Sequence, residues 1–464
     1  MNQKLESFYA SLPGRKVFFL GAGISHKALI EKFAAKGADV TLCDRKSLEE
    51  LGEFGKKCME WGVHLILGEE YLDHLKEADL VFRTPGIDWT KPEIQDAIAH
   101  GVQITSEIES FFEYCPCRII GITGSDGKTT STTLTARLLE AEGYRVHLGG
   151  NIGIPLFPII DEVKEDDIAV VELSSFQLIS MRKSPQVCAV TNVTPNHLDH
   201  HKDMDEYVNA KKNIFLWQDY NGVCVLNAEN EITRDMAKDV KGEIRWFSKN
   251  RPVGNGAYLD EDRVLWSAEC GQVYPVMDLN GIRLRGEHNK DNVCMVYALV
   301  KGLVSDDTFR RVVPAFEGVE HRIEFVRKLD DVEYYNDSIA SSPTRTIAGL
   351  RSFHESVVLI AGGYDKHISY APLAPEILKN RVRVLLLCGP TADAIERELR
   401  ALPDYNGQVE IIRCANVEEC VNRAREVARP GEVVFFSPAS ASFDAYPNFE
   451  VRGRHFKSLV SELK

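Results

Sequence analysis

The chain has 464 residues, of which 44% are hydrophobic and 27% charged, values typical of a globular protein long enough for several packed domains. Its net charge of −14 argues against broad binding to nucleic acid or to anionic membrane surfaces. No apolar run reaches the roughly 18–20 residues of a membrane span, and the N-terminal MNQKLESFYASLPGRK has no apolar signal core. Eleven cysteines without a CxxC pair favour buried thiols in a reducing compartment, so we expect a cytoplasmic location.

Short apolar runs alternate with helical stretches along the chain, a pattern typical of parallel sheets covered by helices. The first segment begins with the strand pattern KVFFLGAGIS, a helix predicted at residues 27–36 and the strand ADVTLCD. Further strands are predicted at VHLIL and DLVFRTPGI. We predict that this first domain comprises residues 1–106.

The second segment contains the strand patterns RIIGIT, DIAVVE and VCAVTN. A polar stretch at residues 229–286 is predicted to form short antiparallel strands, and GEHNKDNVCMVYALVKGLV is predicted to form a helix. The third segment has strand patterns in VEYYNDS, SVVLIAGGYDK, RVRVLLLCGPT and EVVFFSPASASF. We therefore predict an α/β protein with further domains at residues 107–317 and 318–464.

The stretch RIIGITGSDGKTT carries the first chemical signal. Its glycine turn, Gly124 to Thr129, is shorter than the usual GxxxxGK[ST] loop, but it follows a predicted strand and precedes a predicted helix. Backbone N–H groups in such a turn face an anion, and the helix dipole adds to the attraction. Lys128 would then neutralise phosphate charge and the Thr129 hydroxyl would ligate Mg²⁺. The alternative is a plain strand–turn–helix connection with an incidental lysine.

Two features lie near the ends of the next predicted strands. Glu172 ends the strand IAVVE, at the sheet edge where open α/β folds bind ligands, and one carboxylate with phosphate oxygens suffices for Mg²⁺. The run HLDHH, residues 197–201, suggests a zinc site, but no cysteine or carboxylate lies at a spacing that would supply the fourth ligand. A surface turn with unrelated histidines is the alternative, and we favour a role for His197 alone, beside Glu172.

The stretch KVFFLGAGISH begins like the dinucleotide fingerprint GxGxxG, but His26 occupies the position of the third glycine. Asp44, at the end of the next strand, could bind a ribose. This partial match indicates a nucleotide or diphosphate at the edge of the first sheet and does not specify NAD.

Two turns in the third segment follow predicted strands. AGGYDK contains glycines and Lys366, and SPASASFDAYPNF contains hydroxyl and aromatic side chains. Both could be simple turns, and their position at strand ends favours the pocket of a small polar ligand.

The motifs taken together resemble the Mur ligases, and they occur in that family's order over essentially the whole chain. ELSSFQL and the SPASAS-type motif most resemble the members that add D-glutamate. The motifs are TGSDGKTT, GGNIG, ELSSFQL, NVTPNHLDHH, GEHNKDN, EHRIE, YNDS and SPASASFDAYPNF. The resemblance implies a Rossmann-like N-terminal domain for a UDP-linked substrate, a central mononucleotide-binding ATPase sheet with added antiparallel strands, and a Rossmann-like C-terminal domain for an amino acid.

The resemblance also implies a reaction in peptidoglycan precursor synthesis. ATP, with Mg²⁺, would phosphorylate the carboxylate of UDP-N-acetylmuramoyl-L-alanine, and the amine of D-glutamate would attack the acyl phosphate. A carboxylate is a poor electrophile, and phosphate gives it a leaving group. Positioning and charge neutralisation would therefore supply most of the catalysis. We expect small-molecule substrates only, no nucleic acid, no membrane insertion and a monomer.

Site residues are carried over from the resemblance by motif. The catalytic residues implied are Lys128, Asn151, Glu172, His197 and Lys211. Those implied for ATP are Gly124, Ser125, Asp126, Gly127, Lys128, Thr129, Thr130, Asn289, Asn292, Arg322 and Asp337. Those implied for the UDP substrate are Ile24, Ser25, Asp44, Arg45, Thr84, Pro85, Gly86 and Ile87. Those implied for D-glutamate are Ser341, Lys366, Ser442, Phe443 and Phe449.

The metal site implied by the family comprises Thr129, Glu172, His197 and Lys211, the last of these as a carbamate. A carbamate replaces a cation with an anion that can ligate Mg²⁺, and it forms only on a neutral amine. We therefore expect a partly buried Lys211 with a lowered pKa. A solvated cation, as expected for the neighbouring Lys212, is the alternative.

One departure from the family pattern lies after the first strand of the third segment. The family commonly has N-D-S-K-A-T, and this chain has Asn336-Asp337-Ser338-Ile339-Ala340-Ser341. Ile339 removes a cation near the substrate carboxylates. Our hypothesis is that Arg345 restores that charge.

Other functions remain possible from sequence alone. A sibling ligase that adds another amino acid is the nearest alternative. Ser442, Phe443 and Lys366 favour glutamate, but the sequence does not distinguish D- from L-glutamate. A nicotinamide-dependent oxidoreductase would use the first domain, but the missing glycine and the second-domain phosphate loop oppose it. A non-catalytic nucleotide-binding regulator is opposed by the combination of Lys128, Thr129, Glu172, His197 and Lys211.

Overall fold

The computed structural model of the protein describes residues 2–195, 200–284 and 286–464. The chain forms two compact units. The first runs to Asn280 and resumes at Lys290–Val313, and the second comprises Gly281–Asn289 and Pro314–Lys464. No helix among the described residues is long and apolar enough to cross a lipid bilayer.

The first unit contains two sheets. Its strands are β1 Lys16–Leu20, β2 Asp39–Asp44, β3 His64–Leu67, β4 Leu80–Arg83, β5 Gln103–Thr105, β6 Arg118–Thr123, β7 Val146–Gly150, β8 Ile168–Glu172, β9 Val187–Val190, β10 Val223–Asn227, β11 Glu243–Ser248, β12 Gly256–Leu259, β13 Val264–Glu269 and β14 Gln272–Asp278. The first sheet is parallel, in the order β3-β2-β1-β4-β5. The second has the order β14-β13-β12-β11-β10-β9-β6-β8-β7.

Helices cover both of these sheets, as expected for parallel strands that are apolar on both faces. They are α1 Gln3–Ala10, α2 Ile24–Ala35, α3 Leu48–Glu60, α4 Pro92–Ala99, α5 Glu107–Tyr114, α6 Lys128–Glu142, α7 Ser175–Leu178, α8 Met204–Lys212, α9 Glu231–Met236, α10 Glu287–Val300, which begins in the second unit, and α11 Asp306–Val312. The helix predicted at residues 27–36 is α2, which begins earlier, at Ile24, because Gly23 serves as its N-cap.

The two sheets of the first unit share one hydrophobic core. Phe33 and Phe82, from the first sheet and its helix, contact Phe157 with ring centroids 6.5 and 6.3 Å apart. Phe8 and Tyr114 stack at 4.8 Å, and Tyr114 stacks on Phe157 at 5.9 Å. This aromatic cluster fixes the first sheet against the start of the second, so cavities between them have rigid walls.

The polar stretch 229–286 differs in part from its prediction. β11 pairs parallel with β10, and β12 pairs parallel with β11, so only β12, β13 and β14 are antiparallel. The prediction of antiparallel strands from residue 229 is therefore wrong for the first half, which also contains α9. The run EIRWFS extends the parallel sheet because its Phe247 and Ser248 are buried among the other strands.

The second unit is a six-stranded sheet in the order β15-β16-β20-β17-β18-β19. Its strands are β15 Glu324–Leu329, β16 Val332–Asn336, β17 Val357–Ala361, β18 Val382–Leu387, β19 Glu410–Arg413 and β20 Val433–Phe436. Only β15 is antiparallel to its neighbour. The helices are α12 Pro343–Leu350, α13 Leu373–Lys379, α14 Ala392–Arg400, α15 Val417–Val427 and α16 Phe449–Glu462. The α/β class with three sheets is confirmed.

Candidate functional site

The glycine turn between β6 and α6 has the geometry of an anion-binding loop. Gly124 and Gly127 adopt φ of +150° and +80°. A Cβ on Gly124 would lie 1.8 Å from Thr191 Oγ1, and a Cβ on Gly127 would lie 2.3 Å from Asn292 Oδ1. Only glycine fits either position. Because Gly127 is also the N-cap of α6, no side chain caps that helix, and its first N–H groups point into the loop.

The carbonyl oxygen of Gly124 accepts hydrogen bonds from two lysines. Lys128 Nζ lies 2.8 Å from it and 2.8 Å from the carbonyl oxygen of Ser125. Lys211 Nζ lies 2.9 Å from the same Gly124 oxygen. Two ammonium groups therefore meet at the mouth of the loop, as expected for a site that receives a polyphosphate.

Lys211 on α8 is almost completely buried, with 2% of its surface exposed. Burial and, to a smaller extent, the nearby positive charge of Lys128 together lower the pKa of its amine to about 7, against opposing effects of Asp126 and Glu172. Its Nζ also lies 4.6 Å from the centre of the Tyr207 ring. The expected burial and lowered pKa of Lys211 are both present.

Glu172 ends β8 between the phosphate loop and Asn151. β8 pairs with β6 on one side and β7 on the other. Glu172 Oε1 accepts a 2.7 Å hydrogen bond from Asn151 Nδ2, and the backbone N–H of Asn151 donates to the Glu172 carbonyl at 2.8 Å. Within the described part of the chain, Glu172 Oε2 is buried and has no hydrogen-bond partner.

The residues at this edge of the sheet are suited to binding a magnesium ion. A buried carboxylate oxygen without a donor is costly unless a cation or a protonated group completes it. Glu172 Oε2 offers a hard oxygen ligand, and the Thr129 hydroxyl, half-buried at the start of α6, offers another. The predicted ligand His197 lies outside the described residues.

The neighbouring His201 has a structural role. His201 is buried, with Nε2 2.9 Å from Ser175 Oγ and Nδ1 3.1 Å from Glu206 Oε2. Its ring stacks on Phe176 at 5.1 Å. The alternative of a surface turn is therefore wrong for His201, whose ring links Ser175 of α7 to Glu206 of α8.

A cavity of about 320 Å³ lies between the first sheet and the start of the second. Four predicted residues line it, namely Ile24, Ser25, Pro85 and Asn151. Other lining residues that sequence reasoning did not select are Arg83, Ser106, Glu107, Ile152 and Gln177. Its volume falls in the lower part of the usual range of ligand pockets, ~300–1,000 Å³.

Arg83 and Glu107 are the charged groups of this cavity that the sequence did not indicate. Arg83 is 2% exposed and donates to the carbonyl oxygens of Ile87 at 2.6 Å and Phe176 at 3.3 Å. Glu107 accepts a 2.6 Å hydrogen bond from the Phe157 N–H, and burial raises its pKa to about 7. Arg83 thereby joins the TPGI turn to the ELSSFQL motif.

The remaining residues predicted for the UDP substrate are positioned at the edge of the first sheet without lining the cavity. Asp44 Oδ2 accepts from the Ala22 N–H at 2.6 Å and Oδ1 accepts from the Lys46 N–H at 2.9 Å, so its carboxylate holds the β1–α2 turn. Arg45 is exposed and pairs with Glu69. Thr84 packs against Gly21, and Gly86 follows in the TPGI turn.

Two of the residues predicted for ATP, Asn289 and Asn292, lie on α10 and are 7% and 6% exposed. Asn292 belongs to the first unit and contacts Gly127 of the phosphate loop. Asn289 belongs to the second unit, and its backbone N–H donates to the Gly286 carbonyl at 2.9 Å.

In the second unit, predicted residues gather at the carboxyl ends of β16, β17 and β20. Asp337 follows β16 and is 4% exposed. Its carboxylate accepts from Ser437 Oγ at 2.7 Å and from the Ile323 N–H at 3.2 Å. Burial raises the pKa of Asp337 to about 7. Arg322 and Arg345 are exposed nearby, and Arg345 Nη1 lies 3.4 Å from the Ile339 carbonyl.

The two turns predicted to form an amino-acid pocket pack together. The Tyr364 N–H donates to the Ala441 carbonyl at 3.0 Å, and the rings of Tyr364 and Phe443 lie 5.8 Å apart. The predicted residues differ in exposure: Ser442 is buried, Ser341 and Phe449 are half-buried, and Lys366 and Phe443 are exposed.

Arg452 on α16 links these turns to the loop after β16. It is 2% exposed and donates to Ser338 Oγ at 3.0 Å and to the carbonyl oxygens of Ser338 at 2.8 Å, Ala441 at 2.8 Å and Ser440 at 3.0 Å. The pattern FEVRGRHF is that of an ordinary helix and does not indicate a special role for Arg452.

One other group of ligand-type atoms occurs among the described residues, formed by Glu320, His321 and Glu324. Lys457 makes ion pairs with both carboxylates. Asn336 Nδ2 lies 2.9 Å from His321 Nδ1 and donates to Glu324 Oε2 at 3.0 Å. The cluster is therefore an internal ion-pair network whose cation is Lys457.

Comparison with protein families matches three successive parts of the chain. Residues 15–106 match the MurD-like N-terminal domain of Mur ligases, 122–300 the Mur ligase middle domain, and 321–440 the Mur ligase glutamate ligase domain. The chain belongs to the Mur ligase family. It is an ATP-dependent ligase that forms amide bonds.

Curated relatives of this Mur ligase match over their full length. The UDP-N-acetylmuramoylalanine–D-glutamate ligase of Clostridium novyi is 46% identical, with 100% of both chains covered. The enzyme of the same name from Acetivibrio thermocellus is 47% identical, again with 100% of both chains covered. The suspected family relationship is confirmed.

Solved structures of more distant Mur ligases share the fold. MurC of Thermotoga maritima aligns with a TM-score of 0.56 and 18% identity, over 97% of this chain and 100% of that chain. MurF of Acinetobacter baumannii aligns with a TM-score of 0.57 and 14% identity, over 97% of this chain and 92% of that chain. At these identities the likeness concerns the fold alone.

Proposed function

We propose that this protein joins D-glutamate to UDP-N-acetylmuramoyl-L-alanine in peptidoglycan precursor synthesis, using ATP and Mg²⁺. The observation that carries the proposal is the convergence of the phosphate loop, Lys128, Lys211 and the half-satisfied Glu172 at one sheet edge, in a chain similar over its full length to D-glutamate ligases. The eleven cysteines are free thiols, which agrees with the cytoplasmic location we expect.

The reaction requires an activated carboxylate. ATP would transfer its γ-phosphoryl group to the substrate carboxylate, and the amine of D-glutamate would attack the acyl phosphate and expel phosphate. Bound Mg²⁺ would neutralise phosphate charge in this step. In our proposal Lys128 and the N–H groups of α6 hold the β- and γ-phosphates, and Asn151 orients the acceptor carboxylate beside Glu172.

The substrate roles of the other residues follow from their positions. We assign the UDP moiety to the cavity lined by Ile24, Ser25, Arg83 and Pro85, because Asn151 lies in the same cavity and would meet the far end of the substrate. We assign Asn289, Asn292, Arg322 and Asp337 to ATP. We assign Ser341, Lys366, Ser442, Phe443 and Phe449 to D-glutamate. The corresponding domains are residues 1–106, 107–317 and 318–464.

We propose a carbamate on Lys211. Its amine is buried and has a pKa near 7, so a large fraction is neutral and nucleophilic at physiological pH. Addition to CO2 would form an N–C bond and release one proton. The resulting anion would remove the ammonium repulsion beside Lys128 and offer an oxygen ligand near Glu172.

The ligase is tested by phosphate release from the purified protein with ATP, Mg²⁺ and UDP-N-acetylmuramoyl-L-alanine, adding one amino acid at a time. We expect release with D-glutamate and none with L-glutamate. Release only with another amino acid would keep the ligase chemistry and overturn the assigned amino-acid substrate.

The carbamate is tested separately with carbon-13-labelled bicarbonate and carbon NMR of the intact protein. We expect a carbamate resonance that is lost in Lys211→Met and retained in Lys212→Met, whose lysine pairs with Asp239 at the surface. A spectrum of the native protein without that resonance, at saturating bicarbonate, would refute the carbamate.

A further inference from the structure

The linker between α5 and β6 has the sequence Cys115-Pro116-Cys117 and contains a close pair of thiols. The two Sγ atoms lie 3.4 Å apart. Cys115 is half-buried and Cys117 is buried, with 3% of its surface exposed. The proposed ligase chemistry uses neither residue. We propose that Cys115 and Cys117 are a modification site that a low-molecular-weight disulfide converts reversibly into an intramolecular disulfide.

The backbone of this linker already suits a bridge between residues two apart. Cys115 has φ −65° and ψ 124°, close to the polyproline II conformation, and the ring of Pro116 fixes a similar φ. At a rise of ~3.1 Å per residue, the two Cα atoms are on the order of 6 Å apart. That distance is inside the usual disulfide range of ~4.4–6.8 Å. Rotation of the side chains would bring the sulfur atoms from 3.4 Å to bonding distance.

The linker is fastened at both ends, which holds the two thiols together. The Cys115 N–H donates to the Phe111 carbonyl at 2.8 Å, and Asn2 donates to the Tyr114 carbonyl. On the other side, the Ile119 N–H donates to Gln186 Oε1 at 2.8 Å. A thiol pair held in this way has a high effective concentration, so closure of a bridge competes well with reaction of either thiol alone.

The exchange proceeds in two balanced steps. Cys115, the more accessible sulfur, loses its proton and attacks the disulfide oxidant, forming a mixed disulfide and releasing one thiol. Cys117 then attacks Cys115 Sγ, so the S–S bond forms within the linker and the second thiol leaves. In the reduced pair the hydrogen bond between the thiols lowers the pKa of Cys117 and raises the pKa of Cys115, so Cys115 is the first nucleophile by its accessibility and not by its acidity. The oxidant gains the two electrons that the protein thiols lose.

A metal role for the pair is less favourable. Among the described residues, the one group of three ligand-type atoms lies elsewhere, at Glu320, His321 and Glu324, so no third ligand completes a site around the two thiols. A structural zinc site normally has four protein ligands. Redox chemistry between the two sulfurs therefore suits this linker better than permanent metal binding.

The test exposes the reduced full-length protein to increasing oxidised glutathione, blocks remaining thiols, and locates disulfides by peptide mass spectrometry. We expect the bridge between Cys115 and Cys117 to form first, and dithiothreitol to reverse it. Cys270→Ser should leave this result unchanged, because Cys270 is exposed and remote in sequence. Earlier oxidation at Cys388, Cys414 or Cys420, or glutathionylated Cys270 with both linker thiols still reduced, would overturn the proposal.

A second probe tests the thiol pair without oxidation. Phenylarsine oxide links two adjacent thiols through arsenic and releases water. We expect it to be retained on the peptide that contains both linker thiols, and to be lost from that peptide in Cys115→Ser, a variant at a half-buried position that should fold normally. Failure of the native protein to retain the reagent there would overturn the proposal.

Discussion

Asn151 and Glu172 form a hydrogen bond of 2.7 Å that satisfies one carboxylate oxygen, while the other, Oε2, is buried and has no partner in the described structure. The amide of Asn151 therefore decides which way the carboxylate faces. A carboxylate held by one donor presents its second oxygen in a fixed direction, which is the arrangement a metal ligand requires. This relationship joins the cavity that we propose for the substrate to the metal site that we propose, through one contact.

Asn151→Ala should lower the rate of phosphate release and raise the Mg²⁺ concentration needed for half-maximal rate. Loss of a hydrogen bond to a charged group costs ~1.5–3 kcal/mol, which is about a 10- to 100-fold fall in kcat/KM. Asn221→Ala, at an exposed turn, is the control and should be unchanged. An Asn151→Ala enzyme with the native Mg²⁺ dependence would contradict this role.

Gly127→Ala should raise the Kd for ATP and lower the free energy of unfolding only slightly. The new Cβ would lie 2.3 Å from Asn292 Oδ1, so the loop or the asparagine must move. Gly143→Ala is a matched control, because Gly143 is the C-cap of the same helix, also has positive φ, and has no atom within 4 Å of the added Cβ.

Both glycine variants place alanine in the left-handed region, at a cost of ~1–2 kcal/mol in the free energy of unfolding. Only Gly127→Ala should also raise the Kd for ATP, by ~10-fold or more, in a calorimetric titration. Equal ATP affinities for the two variants would show that the contact with Asn292 has no effect on the loop.

Asp337→Asn should raise the free energy of unfolding at pH 8 and change it little at pH 4. The pKa of Asp337 is raised to about 7 in the folded protein, against ~3.9 in an unfolded chain. The folded state therefore binds more protons between these values, and the contribution of Asp337 to stability falls as pH rises from about 4 to 7. Asparagine carries no charge, so it removes this slope.

Urea unfolding of both proteins at several pH values measures the effect. The catalytic rate should fall in the same variant if Asp337 contacts ATP as we propose. If the native protein and Asp337→Asn had the same urea midpoint at every pH, the raised pKa of Asp337 would be contradicted.

Arg452→Met should raise the KM for D-glutamate and lower the free energy of unfolding of the second unit. It removes the Arg452 donor from four acceptors on Ser338, Ser440 and Ala441. The Ala441 carbonyl still accepts from the Tyr364 N–H, and each acceptor that is left buried and unsatisfied costs ~1–3 kcal/mol. Arg454→Met on the exposed side of α16 is the control. Arg452→Lys should recover part of the stability and little of the affinity, because one ammonium cannot reproduce the planar fork. Equal KM values for the two methionine variants would refute a positioning role.

Arg345→Ala should raise the KM for D-glutamate about 10-fold if Arg345 supplies the cation that Ile339 does not. The guanidinium already lies 3.4 Å from the Ile339 carbonyl and is exposed to an incoming carboxylate. Adding Ile339→Lys to the alanine variant should restore affinity, because it returns the charge to the position the family commonly uses. An unchanged KM in Arg345→Ala would end this hypothesis.

The parts of the fold predicted from sequence are those where local pattern and tertiary context agree. The strands IAVVE, apolar up to its final glutamate, and VVLIA are fully buried, and each pairs with a strand on both sides. β5 and β7 were not predicted, since QIT and VHLGG mix polar residues and glycine and become strands only by pairing with a neighbour.

The same distinction applies to the site. The phosphate loop follows one strand and Glu172 ends another, so both can be placed from the order of strands along the chain. Arg83 and Arg452 could not, because an arginine inside a strand or helix is ordinarily solvated, and only the folded arrangement of carbonyl oxygens around each one makes it a buried link.

Lys128 and Lys211 both donate to the Gly124 carbonyl, and their proximity couples nucleotide binding to the protonation of Lys211. With an amine pKa near 7, the loop exists at neutral pH as a mixture of singly and doubly charged forms. Because a polyanion favours the doubly charged form, its binding should be accompanied by uptake of a fraction of a proton by Lys211. The carbamate that we propose on Lys211 would instead convert the cationic pair into a cation and an anion. We therefore expect the affinity of the loop for nucleotide to depend on whether Lys211 is neutral, protonated or modified.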